Sequence, residues 1–284
     1  MNYRIEDYKY LLFKKIWLTI WGKIRNNLIR VFYVKWSNNF GDILNVDILK
    51  YFGFTPVFAY PSKAEVICIG TILGIVKYRF SGYVLGSGID YMCCDSIVDS
   101  TKILGVRGPL TSSSLQCSRK VTIGDPGLLV SKIYPNTYKV RYLLGVIPHE
   151  SEKRDERLVK FARRFPDKVV IISPNNKSPK RVIKNICACK YIVSSSLHGL
   201  IVSDSYGIPS ARIKLNELDE NGDFKFKDYY LSFGRSLNTH NFSGDESIEE
   251  LISKCVSPDM KVISEIQHKL CQMFIEYKLN CYGK

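Results

Sequence analysis

Serines, glycines and a histidine cluster just past an apolar run in the second half of this chain. Tyr191-Ile192-Val193 reads as a strand, Ser194-Ser195-Ser196 follows it, and Leu197-His198-Gly199-Leu200 opens an apolar helix. Hydroxyls and the unpaired amides at a helix start suit an anion. A neutral imidazole near pH 7 can take up or give away a proton, as general acid or base work requires. A core histidine satisfied by a backbone carbonyl is the alternative, and the polar serines around it argue against that setting. His198 is therefore the acid/base candidate, with Ser195, Ser196 and Gly199 beside it in the substrate-binding set.

Weaker candidates lie at other strand-to-helix turns. Asn38-Asn39-Phe40-Gly41-Asp42 leads into an amphipathic helix, with Asn39 and Asp42 as caps and Gly41 permitting close backbone approach. Gly86-Ser87-Gly88 makes a similar exposed turn. Val106-Arg107-Gly108-Pro109 sets a guanidinium at a strand end, where it can grip a carboxylate or phosphate bidentately. Asp125, in Gly124-Asp125-Pro126-Gly127, reads first as a helix cap and otherwise as a group positioning a cation in a cleft. Gly145-Val146-Ile147-Pro148-His149 brings His149 to a strand end, and Phe224-Lys225-Phe226-Lys227-Asp228-Tyr229 offers the cation Lys225 in a run that alternates like an exposed strand.

Short β-rich runs alternating with helical stretches hold these turns, the signature of parallel sheet with crossover helices. Strands are expected at 31–36, 66–69, 83–85, 103–106 and 121–123, then at 142–147, 169–172, 191–194 and 210–213. Helices are expected at 151–165, 179–189 and 198–206. Residues 131–139, punctuated by Pro135 and Asn136, read as the linker. The α/β pattern thus predicts two Rossmann-like domains, 29–135 and 136–245, facing across a cleft at the carboxyl ends of both sheets. Helices over 246–284 are expected to pack back on the first domain. Residues 1–28 form an amphipathic helix, with Phe13, Ile16, Trp17, Ile20, Trp21, Ile24 and Leu28 on one face and lysines on the other. Lys14-Lys15 breaks the apolar run a secretory signal needs, so this segment is expected to remain and either to meet an anionic membrane surface or to dock on the fold.

Composition narrows the class. With 284 residues, 45% apolar and 24% charged, the chain is a folded globular protein rather than a disordered one. Its longest apolar runs fall short of the roughly 18 residues a spanning helix needs. Nine cysteines without paired CxxC spacing point to reduced thiols in a cytoplasm and to no metal site. The net charge of +14 favours an anionic partner, and it is concentrated in residues 1–35 and 138–190. No helix-turn-helix, RNP or zinc pattern accompanies it, so no nucleic acid is expected.

Taken in order, NNFGD, GSG, VRGPLT, GDPGLL, GVIPH and SSSLHGLIVSDSYGIP resemble the polysaccharide pyruvyltransferase family from residue 36 to about 230. The resemblance implies a GT-B-like architecture and transfer of pyruvate from phosphoenolpyruvate, as a cyclic ketal, onto a sugar of a cell-surface glycan or its lipid-linked precursor. It implies that Arg107 binds the donor, that His198 is the acid/base and that Lys225 belongs to the site. It implies no cofactor, with phosphoenolpyruvate as donor substrate; the reduced thiols are expected to mark a cytoplasmic enzyme, which the amino-terminal helix, if it does not dock on the fold, would hold at the inner face of the membrane. Many members carry an arginine before the Leu-His pair where this chain has Ser196, which suggests an exopolysaccharide-type subgroup and leaves another cation to take that arginine's place. A nucleotide-sugar glycosyltransferase of the same architecture is the enzymatic rival. A basic module binding anionic polymer is the non-enzymatic one.

Overall fold

The computed structural model describes residues 15–17, 19–20, 27–76, 79–90, 102–117, 121–216 and 223–282. Its strands form two sheets in which every ladder is parallel. The first contains β1 (Leu28–Val31), β2 (Thr55–Phe58), β3 (Val66–Ile67), β4 (Tyr83–Leu85), β5 (Ile103–Val106) and β6 (Thr122–Ile123), in the order β2-β1-β3-β4-β5-β6. The second contains β7 (Tyr142–Ile147), β8 (Val169–Ile171), β9 (Cys189–Ser194), β10 (Ser210–Lys214) and β11 (Thr239–Asn241), in the order β11-β10-β9-β7-β8. Each sheet therefore starts on an inner strand, steps outward once and then crosses back to the other side. That doubly wound order puts a topological switch between β1 and β3 in one sheet and between β7 and β9 in the other, where open α/β sheets bind ligands.

The helices are α1 (Phe40–Tyr51), α2 (Leu73–Val76), α3 (Pro109–Ser114), α4 (Val130–Ile133), α5 (Glu156–Arg164), α6 (Pro179–Cys187), α7 (Leu197–Ser205), α8 (Phe224–Leu231), α9 (Ile248–Lys254) and α10 (Met260–Tyr282). Three apolar clusters result. One, with Phe32, Ile67, Val84 and Val106, belongs to the first half, and another, with Leu144, Val146, Val193 and Ile213, to the second. The largest is shared: Ile29, Val31 and Leu44 pack in one cluster with Ile147, Ile192 and Leu200, and with Ile263, Leu270 and Phe274 of α10. Phe274 stacks on Phe52 with centroids 4.5 Å apart, and Lys278 Nζ donates to the Phe52 carbonyl at 2.8 Å.

Several elements differ from their expected bounds. The first strand ends at Val31 although the apolar run continues to Trp36, because its partner β3 has only two ladder residues; Phe32 still donates to the Val66 carbonyl, at 3.2 Å. The strand β2 carries Pro56, which reads as a strand breaker and is tolerated because β2 lies at the sheet edge. Residues 224–231 are helical, not extended, with Phe226, Asp228, Tyr229 and Tyr230 buried. Of the amino-terminal amphipathic segment, residues 15–17 and 19–20 are helical and residues 1–14, 18 and 21–26 lie outside the described residues; Leu28, expected on the helix's apolar face, instead opens β1, where its backbone pairs in register with Thr55. Among the described residues no helix is long and apolar enough to cross a membrane, and the described cysteines are free thiols.

Candidate active site

The turn from β9 into α7 delivers the histidine. Ser194 Oγ accepts the Ser196 N–H at 3.0 Å and lies 2.9 Å from the Ile147 carbonyl, which ties the ends of β7 and β9 together. Ser195 Oγ donates to Glu152 Oε2 at 2.5 Å and accepts the His149 N–H at 2.7 Å. Ser196 is buried, and its hydroxyl makes no capping bond to α7. A Cβ on Gly199 would overlap Ser194 Oγ, so glycine there lets α7 start hard against the strand.

His198 sits in the first turn of α7 and is 9% exposed. Its ring rests on the first turn of α1, where a Cβ on Gly41 would overlap Nδ1 and Cγ, and it meets Phe40 edge-on at 6.4 Å. Imidazole and α1 come from opposite halves of the chain. Burial, then the charges of Arg107 and Lys225, push its pKa down to about 3, so the ring is neutral at pH 7. Its Nε2 is buried and has no hydrogen-bond partner among the described residues. That disfavours a core histidine satisfied by a carbonyl.

The facing turn belongs to β1 and α1. Asn39 caps α1, its Oδ1 accepting the Gly41 N–H at 3.0 Å, and it bridges to Asn175 of the second half. Asn175 Nδ2 in turn donates to the Ser37 carbonyl at 2.7 Å and to Glu150 Oε1 at 2.9 Å. Asp42 follows Gly41, and its Oδ1 lies where a Cβ on Gly70 would come within 3.2 Å. Burial and the Glu150 carboxylate push Asp42 up to about 7, with Lys225 opposing.

The cations divide into an occupied and a less occupied guanidinium. Arg107 is fully buried; Nε donates to Asp228 Oδ2 at 3.1 Å, Nη1 to Thr71 Oγ1 at 2.8 Å, and Nη2 to the Ile89 carbonyl. Asp228, from α8, also accepts the Thr111 N–H at 2.9 Å and the Thr111 hydroxyl at 2.6 Å. Arg107, the expected donor-binding guanidinium, closes a buried ion pair between the halves. Burial lowers its pKa and Asp228 opposes. Arg212, in β10, is also buried; its Cζ stands 3.8 Å over the Phe226 ring centroid and its Nη2 is 3.5 Å from Asp223 Oδ1. Lys225 is half-buried, its Nζ 5.6 Å from the same ring, and its pKa is lowered by burial and then by Arg107 and Arg212.

The remaining candidates act mainly on the backbone. Ser87 is buried and donates to the Gly70 carbonyl at 2.7 Å. Asp125 accepts the Gly127 N–H at 2.8 Å as the cap of the 3₁₀ turn Pro126–Leu129; burial pushes it up to about 6. His149 caps the 3₁₀ turn Glu150–Glu152 and pairs through Nδ1 with Ser151 Oγ at 2.8 Å; burial and Lys225 lower its pKa. Sequence reasoning passed over Asp228, Glu152, Asn175 and Arg212. A readable signal existed for Arg212, a cation set between the apolar Ala211 and Ile213 of a strand. Among the described residues no group of three His, Cys, Asp or Glu side chains is placed to hold a metal ion.

Parts of this sequence are similar to those of known proteins. The succinoglycan biosynthesis protein ExoV of Rhizobium meliloti (strain 1021) is 27% identical over 206 residues, 69% of this chain and 62% of that protein. The uncharacterized protein L143 of Acanthamoeba polyphaga mimivirus is 34% identical over 137 residues, 45% of this chain and 47% of that protein. The chain thus spans about half to three-fifths of the length of these two relatives. The polysaccharide pyruvyl transferase family model matches residues 2–216, which include both switch points, the Arg107 turn and His198. The chain belongs to the polysaccharide pyruvyl transferase family.

Proposed function

We propose that this chain transfers pyruvate from phosphoenolpyruvate to two hydroxyls of one sugar in a polysaccharide or its lipid-linked precursor, with release of phosphate. The observation that carries this reading is His198, neutral, with an unpartnered Nε2, held between the switch points of two parallel sheets. The facing halves, with α10 returning to the first, agree with a GT-B-like arrangement.

The chemistry divides among the groups of the cleft. A protonated carboxyl at Asp42 gives its proton to C3 of the enol, which makes C2 electrophilic. One sugar hydroxyl adds to C2 while neutral His198 takes its proton, and a second hydroxyl then displaces phosphate to close the ketal. One hydroxyl proton replaces that given to C3 and the other leaves on phosphate, so the sum is balanced. The cations of the cleft offset the charge of donor and leaving group, the electrostatic stabilisation from which most of the rate advantage arises. Exposed Ile16, Trp17 and Ile20 on the helical residues near the amino terminus support a peripheral membrane position, where a lipid-linked acceptor would lie.

Phosphate release from phosphoenolpyruvate, assayed against a panel of polysaccharide repeat units and lipid-linked sugars, tests the reading. It predicts release that depends on one acceptor class. Release of a nucleotide from a nucleotide sugar, with phosphoenolpyruvate inert, would contradict it.

A further inference from the structure

The geometry points to Arg212, working with Lys225, as the guanidinium that takes the anionic donor, with Asp223 as the internal acid the donor displaces. This rests on the function proposed above and gives its anion site a guanidinium, Arg212, that the motifs did not single out, beside Lys225, which they did.

Position comes first. In the second sheet Arg212 pairs in register with Ser194, which itself pairs with Ile147, so the guanidinium springs from the level at which β7 and β9 end. Two residues on is Ser196, and His198 lies a turn beyond. Arg212 also feels the charge of Glu152, the carboxylate bound to Ser195, and its own charge acts on His149 and Lys225. It therefore stands among the groups of the cleft.

Occupancy comes second. Arg107 has its Nε and both terminal nitrogens engaged, and its carboxylate partner is fixed by two further bonds from Thr111. Arg212 is different. Nη1 donates to the Ile213 carbonyl, Nη2 meets Asp223 only at the outer limit of a hydrogen bond, and buried Nε has no partner among the described residues. A buried guanidinium with an unused donor costs free energy until an anion supplies the acceptor. Asp223 is one-third exposed on its side chain and so can leave to solvent. Phe226 fixes the pair, with Arg212 and Lys225 both over its ring. A planar fork and a point charge that share one ring match a phosphate monoester that also bears a carboxylate.

Binding of phosphoenolpyruvate and of inorganic phosphate to the full chain, by calorimetry, tests this alongside thermal unfolding. Arg212→Gln is expected to weaken phosphoenolpyruvate binding by about tenfold or more, as loss of charge-assisted bonds does. Arg212→Lys keeps the charge without the fork, and an intermediate loss is expected; it decides the matter should the glutamine variant not fold. Asp223→Asn is expected to tighten binding, an effect that a purely structural arginine would not give. Wild-type binding with Arg212→Lys and Asp223→Asn both unchanged would overturn the assignment of Arg212 and leave the proposed function standing. No phosphoenolpyruvate binding by the wild-type chain would overturn both.

Discussion

In the proposed mechanism His198 enters uncharged because burial and two neighbouring cations disfavour the imidazolium; it can then accept a proton, and the bound anionic donor, by offsetting those cations, supplies the basicity that the step requires. Asp42 is its complement. Its pKa near 7 leaves a large protonated fraction at neutral pH, and the donating form is lost as pH rises through that value. The kcat/KM for the donor, which reports the groups of the unliganded protein, should therefore decline above about pH 7, while His198, already neutral there, adds no acid limb of its own between pH 5 and 7. Asp42→Asn should remove the alkaline decline and lower turnover by about 100-fold or more, and His198→Gln should cost as much with donor binding retained. Full activity in either variant would refute the assignment. The placement of His198 just past a strand, at the start of a helix, was legible because serines, histidine and glycine follow an apolar run there. The state of Arg107 was not: its turn is plain in the sequence, but the carboxylate that consumes it lies on α8, more than a hundred residues away in the chain.

Turns carry the site, and elements set how tightly they close. Alanine ordinarily suits a helix better than glycine by about 1 kcal/mol, but at Gly41 the added methyl would overlap the His198 ring. Gly41→Ala should cut turnover by about tenfold or more, since catalytic geometry tolerates little displacement, and a fully active variant would show that the contact between α1 and His198 is not needed. Asp228→Asn should lower stability by about 3–5 kcal/mol, the cost of stranding a buried charge, and joining it with Arg107→Met should recover part of that loss in thermal unfolding. Losses that simply add would deny the coupling. Strands 83–85, 103–106 and 142–147 were legible to the residue because each is an apolar run bounded by turns. The edge strands β2 and β11 were not, since Pro56 masks one and Thr239-His240-Asn241 is polar throughout; their pairing is set by the neighbouring strand.

The chain as a whole resists description as two freely hinged bodies, because one apolar cluster runs through both halves and α10 clasps the first. Net charge proves a poor guide to the cleft. Much of the basic excess sits on exposed positions of α5 and α6, such as Lys160, Arg163, Lys180 and Arg181, whereas the cleft sets Arg107, Arg212 and Lys225 against Asp42, Glu150 and Glu152. Alternating strands and helices made both sheets readable, but the approach of α1 to α7 depends on side-chain volumes at Gly41 and Gly199 that periodicity does not report. The decisive measurement is the mass and proton spectrum of the acceptor after reaction with phosphoenolpyruvate in heavy water. The account predicts a sugar heavier by one pyruvate less one water, with a single non-exchanging deuterium in the new methyl group. A product bearing a transferred sugar, or a methyl group without deuterium, would contradict it.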